Sequence, residues 1–242
     1  MNKRISSMTI IAAFILSSVA LFAGTPSVDD ILKKNVEARG GEKLKNIATY
    51  TSDMSMEVMG MSMTFNVKAK MPDKIRIDFS VMGQDGSVIF NGDKGWAIQG
   101  GVAQEIPADQ LEQTKKQFGS QTDLAGKSYL DYKEKGIKYE LEGVEDVNGT
   151  STYKVKETLK DGTVSRIYFS TKDYLEVKRI SATEMNGTTM DAEIYFKENK
   201  LIDGYLVPIK MEVITMGMTS MVTITDFKVN PALDESLFTP GS

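Results

Sequence analysis

The sequence predicts a mainly β protein: an unclosed, strongly curved antiparallel half-barrel of about 10–12 strands with a helical lid over its concave face. Three observations carry this expectation. The run from Tyr50 to Phe79 alternates apolar and polar residues with a period of two. Asx-Gly pairs recur at Asp85-Gly86, Asn91-Gly92, Asn148-Gly149, Asp161-Gly162, Asn186-Gly187 and Asp203-Gly204, and such pairs supply the positive φ of tight hairpin turns. Helical periodicity is confined to short stretches, too few to cover a large flat sheet, so the sheet must curl and a hollow is expected beneath the helices.

Residues 1–23 read as a signal peptide. Lys3 and Arg4 form a basic start, Met8 to Val19 an apolar core, and Ala20-Leu21-Phe22-Ala23 a small-residue exit, with cleavage expected after Ala23 or Ala20. Residues 24–242 are expected to form one exported, periplasmic, monomeric domain, since no linker composition marks a boundary. With no cysteine, neither a lipid on an N-terminal cysteine nor a disulfide is expected.

A first helix is expected from Ser27 through the Gly40-Gly41 stop, with Ser27 as N-cap, Asp29 and Asp30 in the first turn, and an apolar stripe of Val28, Ile31, Leu32, Asn35 and Val36. A further turn at Leu44 to Ile47 leads into the sheet. A Met59-Gly60 turn pairs Val58 with Met61, Met56 with Met63, Met54 with Phe65 and Tyr50 with Ala69. Glu57–Ser62, Ser55–Thr64 and Asp53–Asn66 then fall on the wet face. The next strand sets Ile75, Ile77, Phe79 and Val81 against Lys74, Arg76 and Asp78.

Later strands are expected at Gly86 to Phe90, Gly95 to Gln99, Ile137 to Glu142, Ser151 to Leu159, Thr163 to Ser170, Tyr174 to Thr183, Thr188 to Glu198, Tyr205 to Thr215 and Thr219 to Val229. Around Asp161-Gly162, Leu159 is expected to meet Val164, Glu157 to meet Arg166 and Val155 to meet Tyr168. Arg179 falls opposite Ile194, on the apolar parity, as a rim arginine or a cation for a ligand head group. A three-residue loop at Met216 to Met218 would align Met211 with Thr223 and Val213 with Met221; a two-residue loop would not. Pro107 opens a helix with Leu111 and Phe118 on a thin stripe, a plausible cover. Leu124, Tyr129, Leu130 and Tyr132 could rest on the open face, and Leu233, Leu237 and Phe238 plug the end.

The chain has 15 methionines, many of them on strand faces where β-branched residues are favoured. Their flexible, polarizable thioethers suit a cavity wall that adapts to its contents. The expected wall comprises Met54, Met56, Val58, Met61, Met63, Phe65, Ile75, Ile77, Phe79, Phe90, Trp96, Ile98, Met211, Val213 and Met221, with Leu111 and Phe118 from the lid. The net charge is −4, and two positive charges leave with Lys3 and Arg4. Nucleic acid is therefore not an expected partner. The sequence has no histidine or cysteine, which removes histidine-based triads and His/Cys zinc sites. No catalytic role, metal or cofactor is expected.

The chain resembles the LolA-like superfamily of periplasmic lipoprotein carriers, which includes the outer-membrane lipoprotein-sorting proteins. The resemblance rests on Ala38 to Ile47, Pro72-Asp73-Lys74-Ile75-Arg76, Gly92-Asp93-Lys94-Gly95-Trp96, Tyr205-Leu206-Val207-Pro208 and the closing segment Asn230 to Pro240. It implies that the wall binds acyl chains of lipoproteins or another lipid, passing from an inner-membrane donor complex to an outer-membrane acceptor. The family's better-known carriers place a lid-holding arginine just before the strand-opening proline; Met71 stands here, which implies a different lid contact and a different cargo. Two alternatives are Cu(I) binding by Met54-Ser-Met56 and Met61-Ser-Met63, and a lipid or envelope-stress sensor resembling the RseB-type regulators.

Overall fold

The computed structural model describes residues 24–119, 127–185 and 188–241; the side chains of 116–119, 183–185 and 188–189 lie outside that description. The expected signal peptide, Leu124, Asn186-Gly187 and the Phe118 side chain therefore lie outside the described residues. Two α-helices, α1 (Val28–Arg39) and α2 (Ala108–Gly119), accompany thirteen strands. These are β1 (Thr49–Val58), β2 (Met61–Lys70), β3 (Lys74–Val81), β4 (Gln84–Asn91), β5 (Lys94–Gln99), β6 (Val102–Glu105), β7 (Lys138–Val147), β8 (Thr150–Thr158), β9 (Val164–Ser170), β10 (Glu176–Met185), β11 (Thr188–Ile202), β12 (Tyr205–Thr215) and β13 (Met218–Val229). They form one antiparallel sheet in the order β6-β5-β4-β3-β2-β1-β13-β12-β11-β10-β9-β8-β7. Strands β6 and β7 are free edges, so the curved sheet is unclosed.

The β1–β2 hairpin has the expected register, from Val58 opposite Met61 through Met54 opposite Phe65 to Tyr50 opposite Ala69. The register continues into β3, where Phe65 faces Phe79 and Val67 faces Ile77. One inner face thus collects the large apolar side chains. On it, Tyr50 stacks on Phe227 at 5.6 Å between ring centroids, while Val67, Ala69, Ile77, Val155, Ile167 and Val207 are fully buried.

Helix α1 is fixed at both ends. Ser27 and Asp30 form a reciprocal capping box, which satisfies backbone donors that the first turn leaves open. At the other end a Cβ on Gly40 would come within 3.2 Å of the Tyr205 ring, and its φ of 140° already favours glycine. Between them Ile31, Leu32, Asn35 and Val36 face the sheet and are buried. Asn35 among them donates its Nδ2 to the Tyr174 carbonyl at 2.7 Å, while its buried Oδ1 has no hydrogen-bond partner among the described residues.

Two registers differ from the sequence-based expectation, and a third decides an alternative that the sequence leaves open. The β3–β4 turn is Met82-Gly83, with φ of 52° and 77°, and Asp85-Gly86 lies inside β4. The β12–β13 turn is the two-residue Met216-Gly217, with φ of 55° and 73°. It places Met211 opposite Val222 and Val213 opposite Ser220. At the β8–β9 loop the Leu159 amide bonds to the Thr163 carbonyl at 2.9 Å. The longer loop shifts the pairing by one residue, so Glu157 meets Ser165 and Val155 meets Ile167.

Candidate functional site

The inner face divides into a filled end and an exposed end. At the filled end α1, the 3₁₀ turn Lys127–Tyr129 and the chain up to Tyr139 cover the sheet, and Tyr129 and Tyr139 are buried there. Along β1, Tyr50 is 3% exposed and Met54 5%, whereas Met56 and Val58 are only partly buried. On β2, Val67 is buried, Phe65 and Met63 are partly buried, and Met61 is 43% exposed. Phe79 and Val81 on β3 and Val213 on β12 are also partly buried. Met56, Met63 and Val81 lie side by side across three strands, with Val222 and Met211 continuing the row beyond Met56.

The β3–β5 side carries the cover from α2. Leu111 is buried in a small cluster with Val88 and Phe90, against which Ile75, Phe79 and Ile106 pack. The small residue Gly95 makes this possible. A Cβ there would come within 2.7 Å of Leu111 Cδ1 and 3.2 Å of Ile106 Cδ1.

Three residues expected in the wall face the other way. Trp96 pairs with Ile89 and Ile98 with Ser87, whereas Gly95 and Ala97 share the inner face with Phe90 and Val88. Small residues, not the tryptophan, line this strand's inner side because α2 needs the space. Met221 sits between Glu57 and Glu212 on the outer face, a direct consequence of the two-residue turn. A bulge then restores inward parity further along β13: Asp53 meets Asp226 but Met54 meets Ile224, leaving Thr225 as the extra residue. Ile224 and Phe227 are therefore both buried inward.

Arg179 is neither a rim cation nor one left open for a ligand. Its Nη1 lies 3.2 Å from Glu157 and its Nε 3.4 Å from Glu176, while Nη2 donates to Tyr129 Oη at 2.7 Å. Tyr129 in turn donates to Glu176 at 2.5 Å, and Tyr139 to Glu157 at 2.6 Å. Burial opposes ionisation of Glu176, but Arg179 and Arg39 outweigh it and hold the carboxyl below its ordinary range. The two tyrosines are pushed up, first by burial and then by the neighbouring carboxylates. This network was not legible in the sequence because its partners come from four separate segments.

A groove of about 680 Å³ lies over β1–β5, lined mostly by residues of outer parity such as Asp53, Asn66, Asp78, Ser87 and Ile98, with Met54, Phe65 and Phe79 also at its floor. Asp78, Asn66 and their neighbours form a bonded row along it. Lys68 Nζ and Arg76 Nε each lie 2.7 Å from Asp78, and the Ser87 hydroxyl donates to the same carboxylate at 2.6 Å. Asn66 bridges Asp53 and Lys68. The C-terminal 3₁₀ turn Glu235–Phe238 closes the lower outer face, where Arg76 and Asn91 donate to the Leu237 and Phe238 carbonyls.

No protein-family model matches the chain, and no curated protein matches it in sequence. Solved structures share its fold. A DUF1329 family protein from Desulfovibrio piger superposes with a TM-score of 0.60 at 17% identity, over 89% of this chain and 98% of that one. A LolA superfamily protein from Nitrosomonas europaea gives 0.58 at 12% identity, over 88% and 98%. An outer membrane lipoprotein-sorting protein domain from Vibrio parahaemolyticus gives 0.56 at 14% identity, over 87% and 95%. The fold is LolA-like.

Proposed function

We propose that this protein is a periplasmic, non-catalytic carrier whose half-covered inner face shelters the acyl chains of a lipoprotein or another lipid between an inner-membrane donor and an outer-membrane acceptor. The supporting observation is the gradient along β1–β3, from fully buried Val67 and Ile77 to partly buried Met56, Met63, Phe65 and Phe79. The wall thus consists of Met54, Met56, Val58, Met61, Met63, Phe65, Ile75, Ile77, Phe79, Phe90, Met211 and Val213, with Leu111 as a lid contact. Trp96, Ile98 and Met221 are not part of it.

Burying an acyl chain of about sixteen carbons is worth roughly 13 kcal/mol at ~0.8 kcal/mol per methylene. A carrier must come near that value without exceeding it greatly, or the cargo would not leave. Methionine side chains that fold over the empty wall and swing aside for a chain give such a shallow, shape-tolerant affinity. The outer groove suits an acyl chain poorly, since a chain there would strip water from the ion-paired groups around Asp78 and return no hydrogen bonds. Mass spectrometry of organic extracts from protein purified without detergent tests the reading: acyl lipid in stoichiometric amount is expected, and extracts without lipid from protein offered lipid would refute it.

A specific arrangement keeps a second reading in view. Met56 and Met63 face each other directly, and paired thioethers suit Cu(I). Titration with Cu(I) against a competing chelator separates the two, because a lipid wall requires no such affinity.

A further inference from the structure

Antiparallel order brings the β1–β2, β3–β4, β5–β6 and β12–β13 turns to one end of the sheet, the end at which the inner face becomes exposed. Three of these turns have the same composition and geometry: Met59-Gly60, Met82-Gly83 and Met216-Gly217, with both residues of each at positive φ. They are 78%, 77% and 64% exposed at the methionine. Two strand spacings separate neighbouring tips, roughly 10 Å. Six of the eight large apolar side chains that stand exposed among the described residues belong to this rim: these three with Met61, Met218 and Val102.

Turn geometry does not explain the methionines. Two-residue turns of this kind favour Asn or Asp before Gly, because an ordinary side chain is strained at positive φ. The opposite end of the same sheet follows that preference with Asn148-Gly149 and Asp203-Gly204, whose φ values match those of the methionine turns. Met59-Gly60, Met82-Gly83 and Met216-Gly217, which sit on neighbouring hairpins, therefore carry a disfavoured apolar residue where the two turns at the far end carry the favoured polar one; further round the sheet at the same end, the three-residue β8–β9 loop is polar again, with Asp161-Gly162. Charge differs in the same way. The four tips 57–62, 80–85, 98–103 and 214–220 contain only Glu57 and Asp85 and no cation, while the far end carries Lys70, Asp73, Lys74, Asp93 and Lys94.

We propose that this methionine-tipped rim docks the protein on the surface of a lipid bilayer, the tips entering the interfacial layer of zwitterionic phospholipid. Isolated apolar tips separated by Ser62, Gln84 and Thr219 do not form the continuous packed patch that a protein interface needs, but a fluid layer accepts each tip independently. Without cations the rim draws nothing from anionic lipid, so the association is insensitive to salt. The inference rests on the carrier reading for its purpose, since docking here would bring the exposed end of the inner face to the bilayer.

The test is flotation with phosphatidylcholine vesicles, comparing the native protein with the triple variant Met59→Asn, Met82→Asn, Met216→Asn. Asparagine suits these turns, so the variant keeps its fold by circular dichroism. Vesicle association of the native protein, unchanged in high salt and at least about tenfold weaker in the variant, is expected. Native protein that does not float, equal flotation of both, or binding that requires anionic lipid and vanishes in salt would overturn the inference, as would a native dimer that the variant abolishes. Uptake of monomeric lysophosphatidylcholine, read in parallel, is expected to be equal in both proteins. Its absence from both with flotation intact would refute the carrier reading and leave the docking surface standing.

Discussion

Leu111 Cδ1 stands so close over Gly95 that a Cβ there would lie 2.7 Å from it, closer than van der Waals contact allows. The fit of α2 on the sheet thus depends on a missing side chain. Gly95→Val is expected to lift α2 from β5 while the rest of the sheet stays intact. Faster amide hydrogen exchange confined to residues 106–115 would show it; protection unchanged there would mean the helix is not held at this point.

Arg179 stands between two buried carboxylates and a tyrosine, so removing it strands Glu157 and Glu176 without their main partner. Arg179→Met is expected to cost about 3–5 kcal/mol at neutral pH, measured by urea unfolding. The pH dependence follows from Glu176. Its folded value is lowered, so its contribution is present in full above the ordinary 4.5 and is lost as the pH falls through the folded value. In the variant burial dominates and raises that value, so acidification stabilises the folded state instead. The gap between the two proteins should narrow as the pH drops towards 4.5, as the variant is relieved, and narrow further below it, as the native contribution is lost; a constant gap would contradict the network.

The methionine turns make a separate stability prediction. Replacing Met82 by Asn relieves a strained positive φ of 52°, and each such change is expected to raise stability by up to about 1 kcal/mol. A higher Tm for Met82→Asn confirms it, and a lower one would mean that the exposed methionine is packed against something.

Met56→Asp and Phe79→Asp each place a carboxylate on the proposed wall where side chains are only partly buried. Both are expected to fold and to lose bound lipid. Lipid retained by both folded variants would remove the wall.

Much of the fold was legible because the Met59-Gly60 turn fixes register, and a period of two then assigns every side chain of β1–β3 to a face. The β3–β4 turn was obscured by a stronger local signal: Asp85-Gly86 has the preferred turn composition, yet the chain turns three residues earlier at Met82-Gly83. Trp96 and Ile98 looked like wall residues by their apolar character alone. Their outward placement follows from the space α2 needs over Gly95, a tertiary demand with no local trace. The Thr225 bulge is equally silent in sequence, and Arg179's partners are far apart along the chain.

The location of a bound acyl chain is the most direct test. Methyl NMR of the protein labelled at methionine, loaded with a lipid carrying a spin label within its acyl chain, reads this at once. The account predicts strong broadening of the Met54, Met56, Met61 and Met63 methyl signals, with Met221 on the outer face little affected. Broadening that spares these four and falls on Met221 instead would contradict it.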